Sequence, residues 1–278
     1  MTQITAQQVK RLREATNVSM MDCKRALVEA DGDFDQATRL LRERGMAVAA
    51  KRAGRAAQQG LVASASSEDG VIQSLVEVNC ETDFVARNES FRAFVGEVAS
   101  QACETDDPLS EQMGAELTAK IAEIGENLVL RRNTRFVLRG TGAIGSYIHL
   151  GGKVGVLVEV GCEKAETVSE PAWAELVRDL TLHVAACNPA YLVSDEVPEQ
   201  EIASERAIYA KQVQNKPPQI LEKIVDGKMR KYFAEVCLID QGFVKEPKTA
   251  VHALLTAVGK QLGDNLQVRR FVRYQLGE

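Results

Sequence analysis

The residues that could carry catalytic or metal chemistry are dispersed along this chain. Six cysteines and three histidines occur among its 278 residues, and none of them forms a CxxC pair or a zinc-binding spacing. Cysteines this far apart are typical of small buried hydrophobes in a reducing cytosol rather than of disulfides. No serine or cysteine nucleophile stands in a recognisable motif with a histidine. The sequence therefore predicts no metal site, no cofactor and no enzymatic active site.

Two stretches are similar to ligand-binding loops but lack the residues that hold the ligand. GSYIHLGGKV at 145–154 has the wrong glycine spacing for a phosphate loop, and Val154 stands where a magnesium ligand is needed. DGDFDQATRLLR at 31–42 has aspartates at calcium-loop spacing, but Gln36 and Arg42 replace the required glycine and glutamate. We interpret the first stretch as a turn between strands and the second as helix capping.

An acidic and an aromatic residue stand side by side where the chain is predicted to turn. The apolar run VIQSLVEV ends before Cys80, and the stretch NCETDFVARNE at 79–89 then carries Asp83 and Phe84. Such a phenylalanine either packs locally, stapling the following helix, or becomes buried against a partner. Both interpretations stay open at this point.

The composition excludes several classes of protein. The apolar fraction of 45 % and the charged fraction of 26 % are those of an ordinary folded protein. A net charge of -5 argues against a dedicated nucleic-acid binder, which would be basic. No apolar run is long enough to span a membrane, and MTQITAQQVK lacks the apolar core of a signal peptide. We expect a cytoplasmic protein of roughly two domains.

The first 45 residues have the pattern of three short helices. Each begins with a capping residue and a partner three positions later, namely Thr5 with Gln8, Ser19 with Asp22, and Asp33 with Gln36. Gly45 is predicted to end the third helix. We expect a three-helix module at 1–46 and a Gly/Ala-rich linker at 47–60.

The rest of the chain contains a duplication. LVEVNC at 75–80 recurs as LVEVGC at 157–162, an offset of 157 − 75 = 82, and each copy continues into an apolar helical face. ENLVLRR at 126–132 recurs as DNLQVRR at 264–270, an offset of 264 − 126 = 138. The sequence therefore predicts an α+β fold with two related subdomains, 61–140 and 141–278.

The difference between the two offsets, 138 − 82 = 56, indicates an insertion of about that many residues in the second copy. Two charged helical segments there flank Lys216-Pro217-Pro218, which breaks a helix. We expect a helical hairpin at about 195–231. The duplication also supplies an internal comparison, because Ala165 and Glu166 align with Asp83 and Phe84. The repeated fold therefore does not require the acid–aromatic pair.

Several motifs, in order along essentially the whole chain, resemble those of the bacterial elongation factor Ts family. They are TNVSMMDCKRALVEADGDFDQA, NCETDFVARNESF, IGENLVLRR, HVAACNP and VCLIDQGFVKEPKTAV. The resemblance implies a ubiquitin-associated-like N-terminal module, a core of two related subdomains and a helical hairpin. It also implies a guanine-nucleotide exchange factor, not an enzyme. Such a factor binds elongation factor Tu with GDP, disturbs its magnesium and phosphate site, releases GDP and allows GTP to bind.

The resemblance further implies which residues contact the partner. Those expected near the magnesium site of the GTPase are Thr82, Asp83, Phe84 and Val85. His183 is expected near its phosphate loop, and Ile124 and Gly125 on the contact surface. For His183, a satisfied core or surface histidine is the alternative. Some family members carry a further C-terminal helix, whose contact cannot be transferred to a chain that stops at VRYQLGE.

The partner expected from the resemblance is elongation factor Tu, both GDP-bound and nucleotide-free. We expect no direct nucleotide binding, no membrane contact and no nucleic-acid contact. The complex is expected to be one-to-one or two-to-two, and the factor itself can be a homodimer. Two alternatives to the exchange function are a ubiquitin-binding scaffold and a nucleic-acid-binding translation factor. The second is suggested by arginine pairs on two predicted strands, Arg131 with Arg132 and Arg269 with Arg270. Such arginines usually form a solvated face.

Overall fold

Three capped helices begin the computed structural model, which describes residues 4–16, 18–213 and 217–278. They are α1 (Ala6–Thr16), α2 (Met20–Glu29) and α3 (Phe34–Arg52). The side chains of Ser19 and Asp33 accept hydrogen bonds from backbone N–H groups three residues on, so the predicted capping is confirmed. Leu12, Cys23 and Leu27 are buried between the helices.

The first subdomain is a three-stranded antiparallel sheet covered by helices. It contains β1 (Gln59–Ser66), β2 (Ile72–Cys80), α4 (Asp83–Ala86), α5 (Glu89–Glu104), α6 (Leu109–Gln112), α7 (Gly114–Ile124) and β3 (Val129–Val137). The strand order is β1-β2-β3. Phe91, Phe94 and Val98 on α5 are buried in one apolar cluster with β2 residues such as Val78, which is the helical face that the spacing predicts.

The second subdomain repeats this arrangement and adds an arm. It contains β4 (Gly142–His149), β5 (Val154–Gly161), α8 (Pro171–Cys187), α9 (Glu199–Gln212), α10 (Pro218–Val236), β6 (Gly242–Phe243), β7 (Glu246–Ala250), α11 (Val251–Leu262) and β8 (Gln267–Gln275). Its main sheet has the order β4-β5-β8. Trp173, Leu176 and Leu180 on α8 are buried with β5 residues such as Val158. The predicted α+β fold is confirmed.

The helix α3 is longer than the sequence predicts. It continues through Gly45 to Arg52, so the prediction that Gly45 ends it is wrong. Gly45 is buried, and a Cβ atom there would lie 3.3 Å from the Cβ of Ala122 on α7. The glycine therefore serves a close contact between two helices rather than a helix end.

The helices α9 and α10 form the expected hairpin arm. Lys216, part of the predicted helix break, lies outside the described residues, and α10 begins at Pro218. At the base of the arm, the carboxylate of Glu201 accepts hydrogen bonds from the hydroxyls of Tyr191 and Tyr232.

Among the described helices, none has the length and apolar character that crossing a membrane requires.

A β-bulge recurs at the same place in both main sheets. Opposite Glu77 and Val78 on β2, the strand β3 has one extra residue, Arg131. Opposite Glu159 and Val160 on β5, the strand β8 has the extra residue Arg269. A bulge lets two successive side chains approach one partner residue. Each bulge thereby brings an arginine pair to one fully buried glutamate.

The expectation that these arginines form a solvated face is therefore wrong for Arg132, Arg269 and Arg270, whereas the side chain of Arg131 stays 39 % exposed. The Nε atom of Arg132 lies 2.7 Å from the Glu77 carboxylate, and that of Arg270 lies 2.7 Å from the Glu159 carboxylate. Both glutamates have no exposed surface. A buried carboxylate needs such partners because leaving it unpaired would cost several kcal/mol. The sequence pattern could not show this, since it does not reveal the bulge.

Each glutamate–arginine cluster also holds the end of a strand from the other subdomain. Arg132 donates to the carbonyl of Gln275 at 2.9 Å, and Glu77 accepts from the N–H of Gly277 at 3.1 Å. The equivalent bonds in the other direction run from Arg270 to the carbonyl of Val137 at 2.7 Å and from the N–H of Arg139 to Glu159 at 2.9 Å. Each subdomain therefore binds the end of a strand from the other, and we call this pair of contacts the reciprocal grip.

Candidate protein-binding loop

The chain leaves β2 and forms a one-turn helix that presents Phe84 to solvent. Thr82 caps this helix, α4, and its hydroxyl accepts from the N–H of Val85 at 3.4 Å. The side chain of Phe84 is 81 % exposed, the largest exposed fraction among the exposed large hydrophobic residues of the described part of the chain. An aromatic ring exposed to water does not contribute the stabilisation that its burial would give the fold. The alternative that Phe84 packs locally against the following helix is therefore wrong.

The residues on either side of Phe84 hold the turn in place. Val85 and Ala86 pack against the apolar core of the first subdomain. Asn88 caps α5 by accepting from the N–H of Ser90 at 2.8 Å. Asp83 forms an exposed ion pair with Arg87 at 3.0 Å. The exposed ring is thus carried by a turn whose remaining side chains are anchored.

Two carboxylates brace the start of this loop. The carboxylate of Glu126 accepts from the N–H of Glu81 at 3.1 Å, from the N–H of Thr82 at 3.0 Å and from the Thr82 hydroxyl at 2.6 Å. In return, the carboxylate of Glu81 accepts from the N–H of Asn127 at 2.7 Å. This last bond, aided by the guanidinium groups of Arg55 and Arg52, lowers the pKa of Glu81. The braced loop and the end of α7 form one unit.

Ile124 and Gly125 lie beside the loop, because the next residue, Glu126, is hydrogen-bonded to it. Ile124 ends α7 and is half-buried, and Gly125 caps the helix with a positive φ of 79°. Glycine suits that left-handed conformation because it has no Cβ. The turn at Gly125 directs the chain so that Glu126 reaches the amides of the loop. Sequence reasoning missed Glu126, although Asp264 at the equivalent repeat position was a signal for it.

His183 has the environment of a satisfied core histidine. It has no exposed surface, its Nδ1 accepts from the N–H of Val244 at 3.1 Å, and its Nε2 lies 3.0 Å from Oε1 of Gln241. Since Nδ1 accepts, Nε2 carries the proton and donates to Gln241. Burial lowers the pKa of His183. The structure places it on α8, in the second subdomain, where it supports the turn between β6 and β7.

The described residues offer no metal cluster and no reactive thiol near the loop. No group of three or more metal-ligating side chains occurs among them. Burial raises the pKa of Cys80, the nearest cysteine in sequence, to about 12, so its thiol stays protonated. A cavity of about 510 Å³ lies between α1, α3 and α7, and Phe84 does not line it. Phe84 therefore stands on an open surface, away from this cavity.

Comparison with known proteins identifies close relatives over the whole chain. The model of a family described as elongation factor TS matches residues 81–278. Elongation factor Ts of Nitratidesulfovibrio vulgaris is 45 % identical over 277 residues, covering 99 % of this chain and 96 % of the relative. Elongation factor Ts of Trichlorobacter lovleyi is 41 % identical over 290 aligned residues, covering 99 % and 93 %. Elongation factor Ts of Clostridium botulinum is 43 % identical over 288 aligned residues, covering 99 % and 93 %.

Proposed function

The chain belongs to the elongation factor Ts family, and on that premise we propose that it is the guanine-nucleotide exchange factor for elongation factor Tu. It acts by binding, in the cytoplasm, and has no substrate of its own. It binds the GDP-bound GTPase, disturbs the magnesium and phosphate site, and leaves when GTP enters. The observation that carries this proposal is the exposed ring of Phe84 on a braced turn.

An exchange factor needs no energy source to release a nucleotide. It must only bind the nucleotide-free GTPase more tightly than the GDP-bound one. The coupling is reciprocal, so that incoming nucleotide weakens the factor's binding by the same ratio. Burying a phenylalanine ring contributes about 1.5–3 kcal/mol, which is comparable with typical coupling free energies of about 1–3 kcal/mol. Phe84 therefore suits a wedge that becomes buried only when the GTPase opens.

The neighbours of Phe84 have secondary roles in this proposal. Thr82 and Val85 hold the turn, one by capping and one by packing. Asp83 contacts displaced groups of the GTPase rather than competing for magnesium, which is the largest local charge in such a site. The intact ion pair of Asp83 with Arg87 supports this role.

The contact proposed for His183 is indirect. Its ring nitrogens are both used within the chain, and it supports the backbone of Val244, whose side chain is 38 % exposed. We assign the approach to the phosphate loop to this turn between β6 and β7. His183 then acts as a positioning residue. Ile124 and Gly125 contribute in a similar way, through the brace that they direct at the Phe84 loop.

The internal use of the arginine pairs supports a protein partner over a nucleic acid. Arg132 and Arg270 are engaged by buried carboxylates, so these two guanidinium groups are committed to contacts within the fold. A ubiquitin-binding scaffold would leave the exposed Phe84 without a role. The exchange function gives a role to the exposed ring on its braced turn.

The proposal is tested by stopped-flow release of a fluorescent GDP analogue from purified elongation factor Tu. The chain at saturating concentration should accelerate release strongly, and Phe84→Ala should lower the saturating rate about tenfold or more, which corresponds to roughly 1.4 kcal/mol. Glu166→Ala, at the equivalent position of the second copy, is the matched control and should leave the rate unchanged. A parent protein that does not accelerate release would overturn the function. A Phe84→Ala variant as fast as the parent would overturn the wedge.

A further inference from the structure

We propose that Glu126 is the positioning residue of the Phe84 loop. Its carboxylate holds the loop in the conformation that presents the ring, and so sets the rate at which the bound GTPase is opened. This inference rests on the proposed exchange function. It assigns a role to a residue that never has to touch the partner.

The loop needs an external brace because α4 is too short to stabilise itself. A helix of four residues, Asp83–Ala86, fixes several backbone angles and gains few hydrogen bonds in return. Glu126 supplies the missing stabilisation through three bonds, two from backbone N–H groups and one from the Thr82 hydroxyl. Bonds to an ionised carboxylate are stronger than bonds between neutral groups. They fix Thr82 in the extended conformation, φ −124° and ψ 156°, that a helix cap requires.

The brace is rigid because it acts in both directions. While Glu126 binds the amides of Glu81 and Thr82, the carboxylate of Glu81 binds the amide of Asn127 at 2.7 Å. The side-chain amide of Asn127 in turn donates to the carbonyl of Arg55 at 2.8 Å. Residues 81 and 82 are thereby joined to residues 126 and 127, about 45 positions later in the sequence, by four hydrogen bonds. Movement of the loop requires several of these bonds to break together.

The second copy of the repeat contains an equivalent carboxylate brace without the wedge. Asp264 follows a left-handed glycine, Gly263, as Glu126 follows Gly125. Its carboxylate accepts from the N–H groups of Glu163 and Lys164, both at 3.1 Å, and from the hydroxyl of Thr167. The segment held there is the short 3₁₀ helix Ala165–Ser169. The brace is therefore a general feature of the fold, and only the first copy combines it with an exposed aromatic ring.

This repetition provides a control for structural damage. Glu126→Ala and Asp264→Ala remove equivalent carboxylates from equivalent turns, so they should lower the melting temperature by similar amounts. Only Glu126→Ala should affect exchange. Glu126→Gln should behave more like the parent, because the amide oxygen can still accept from both N–H groups and the amide nitrogen can donate to Thr82.

The experiment measures the saturating rate of GDP release from elongation factor Tu, the concentration of factor that gives half of that rate, and amide hydrogen exchange at residues 81–86. We expect Glu126→Ala to lower the saturating rate about five- to tenfold, to accelerate hydrogen exchange of the loop, and to change the half-saturating concentration less. The saturating rates of Glu126→Gln and Asp264→Ala should stay close to that of the parent.

Two results would overturn the inference. One is a Glu126→Ala variant with the parent's saturating rate, and the other is an Asp264→Ala variant that is slowed equally. If the parent itself fails to release GDP, the exchange function fails, and hydrogen exchange of the loop still decides the brace. Protection of residues 81–86 that is unchanged in Glu126→Ala would then show that Glu126 does not hold the loop.

Discussion

At the scale of the residue, the two copies of the repeat differ in side-chain chemistry at the position of Phe84. The equivalent residue, Glu166, is an exposed acid, and the backbone under both is held by a carboxylate. In the isolated chain, the ring of Phe84 gains almost no burial. The stabilisation that the ring can give is therefore available only on binding. Because the unburied apolar surface of the loop is confined to one residue, presenting it to a partner costs the chain little of its folding stability.

His183 is expected to make the stability of the chain depend on pH. Burial lowers its pKa below the ordinary value of 6.5, so the folded protein takes up this proton at a lower pH than the unfolded protein. As the pH falls through 6.5 and below, the unfolded state gains a proton that the folded state does not bind, and the free energy of unfolding decreases. His183→Gln cannot titrate and should lose less stability than the parent over this range.

The test is urea unfolding of both proteins between pH 7.5 and pH 5. Each other titrating group is common to the two proteins, so the difference between their pH profiles isolates His183. Parallel profiles would show that its pKa is the same in the folded and unfolded states.

At the scale of the element, sequence patterns located most helices and strands but misjudged where some end. The caps at Ser19 and Asp33 are local and were predicted correctly, as were the strands of the duplication. Gly45 misled the prediction because a glycine usually marks a helix end, whereas here it meets Ala122 from a distant helix. The turn of Phe84 was located from sequence. Its support by Glu126 was not, because that contact joins segments far apart in the chain.

The end of α3 is tied to the Phe84 loop. Arg52 and Arg55 both lie 3.4 Å from the carboxylate of Glu81, next to Thr82. Replacing both arginines by alanine should loosen the loop and slow GDP release, by no more than about fivefold, because partly exposed ion pairs contribute up to about 1 kcal/mol. Lys51→Ala, at an exposed neighbouring position, is the control.

Stopped-flow GDP release and hydrogen exchange at 81–86 report this effect. Faster amide exchange with slower release in the double variant is the expected result. Unchanged values for both would show that the three-helix module and the loop act independently.

At the scale of the whole molecule, two buried carboxylates join the subdomains. Glu159 lies in the core with Arg269 and Arg270 against it. In this cluster, Arg270 lies over the ring of Phe136 at 4.0 Å. In the equivalent cluster at Glu77, Arg132 lies over the ring of Tyr274 at 4.2 Å. The repeat was visible in the sequence. The grip was not, because it depends on the bulges and on strand ends from the opposite subdomain.

Glu159→Ala should destabilise the chain by about 3–5 kcal/mol, since it leaves two largely buried guanidinium groups without their carboxylate. Asp106→Ala removes an ion pair with Arg135 in which the acid is 83 % exposed, and it should cost less than about 1 kcal/mol. Chemical denaturation of the two variants and the parent measures this contrast. Similar small losses in both variants would mean that the buried cluster adds little to the joining of the subdomains.

The reciprocal grip also bears on the ancestry of the chain. Glu77 holds Gly277 and Glu159 holds Arg139, and these pairs exchange places when one copy is superposed on the other. A polypeptide with a single copy would pair its glutamate with its own arginines, but the bond from a backbone N–H would need the strand end of a second copy, as in a symmetric pair. Two copies in one chain keep this contact without that symmetry. One half can then carry an aromatic tip and the other an arm, because a substitution in one copy is not repeated in the other.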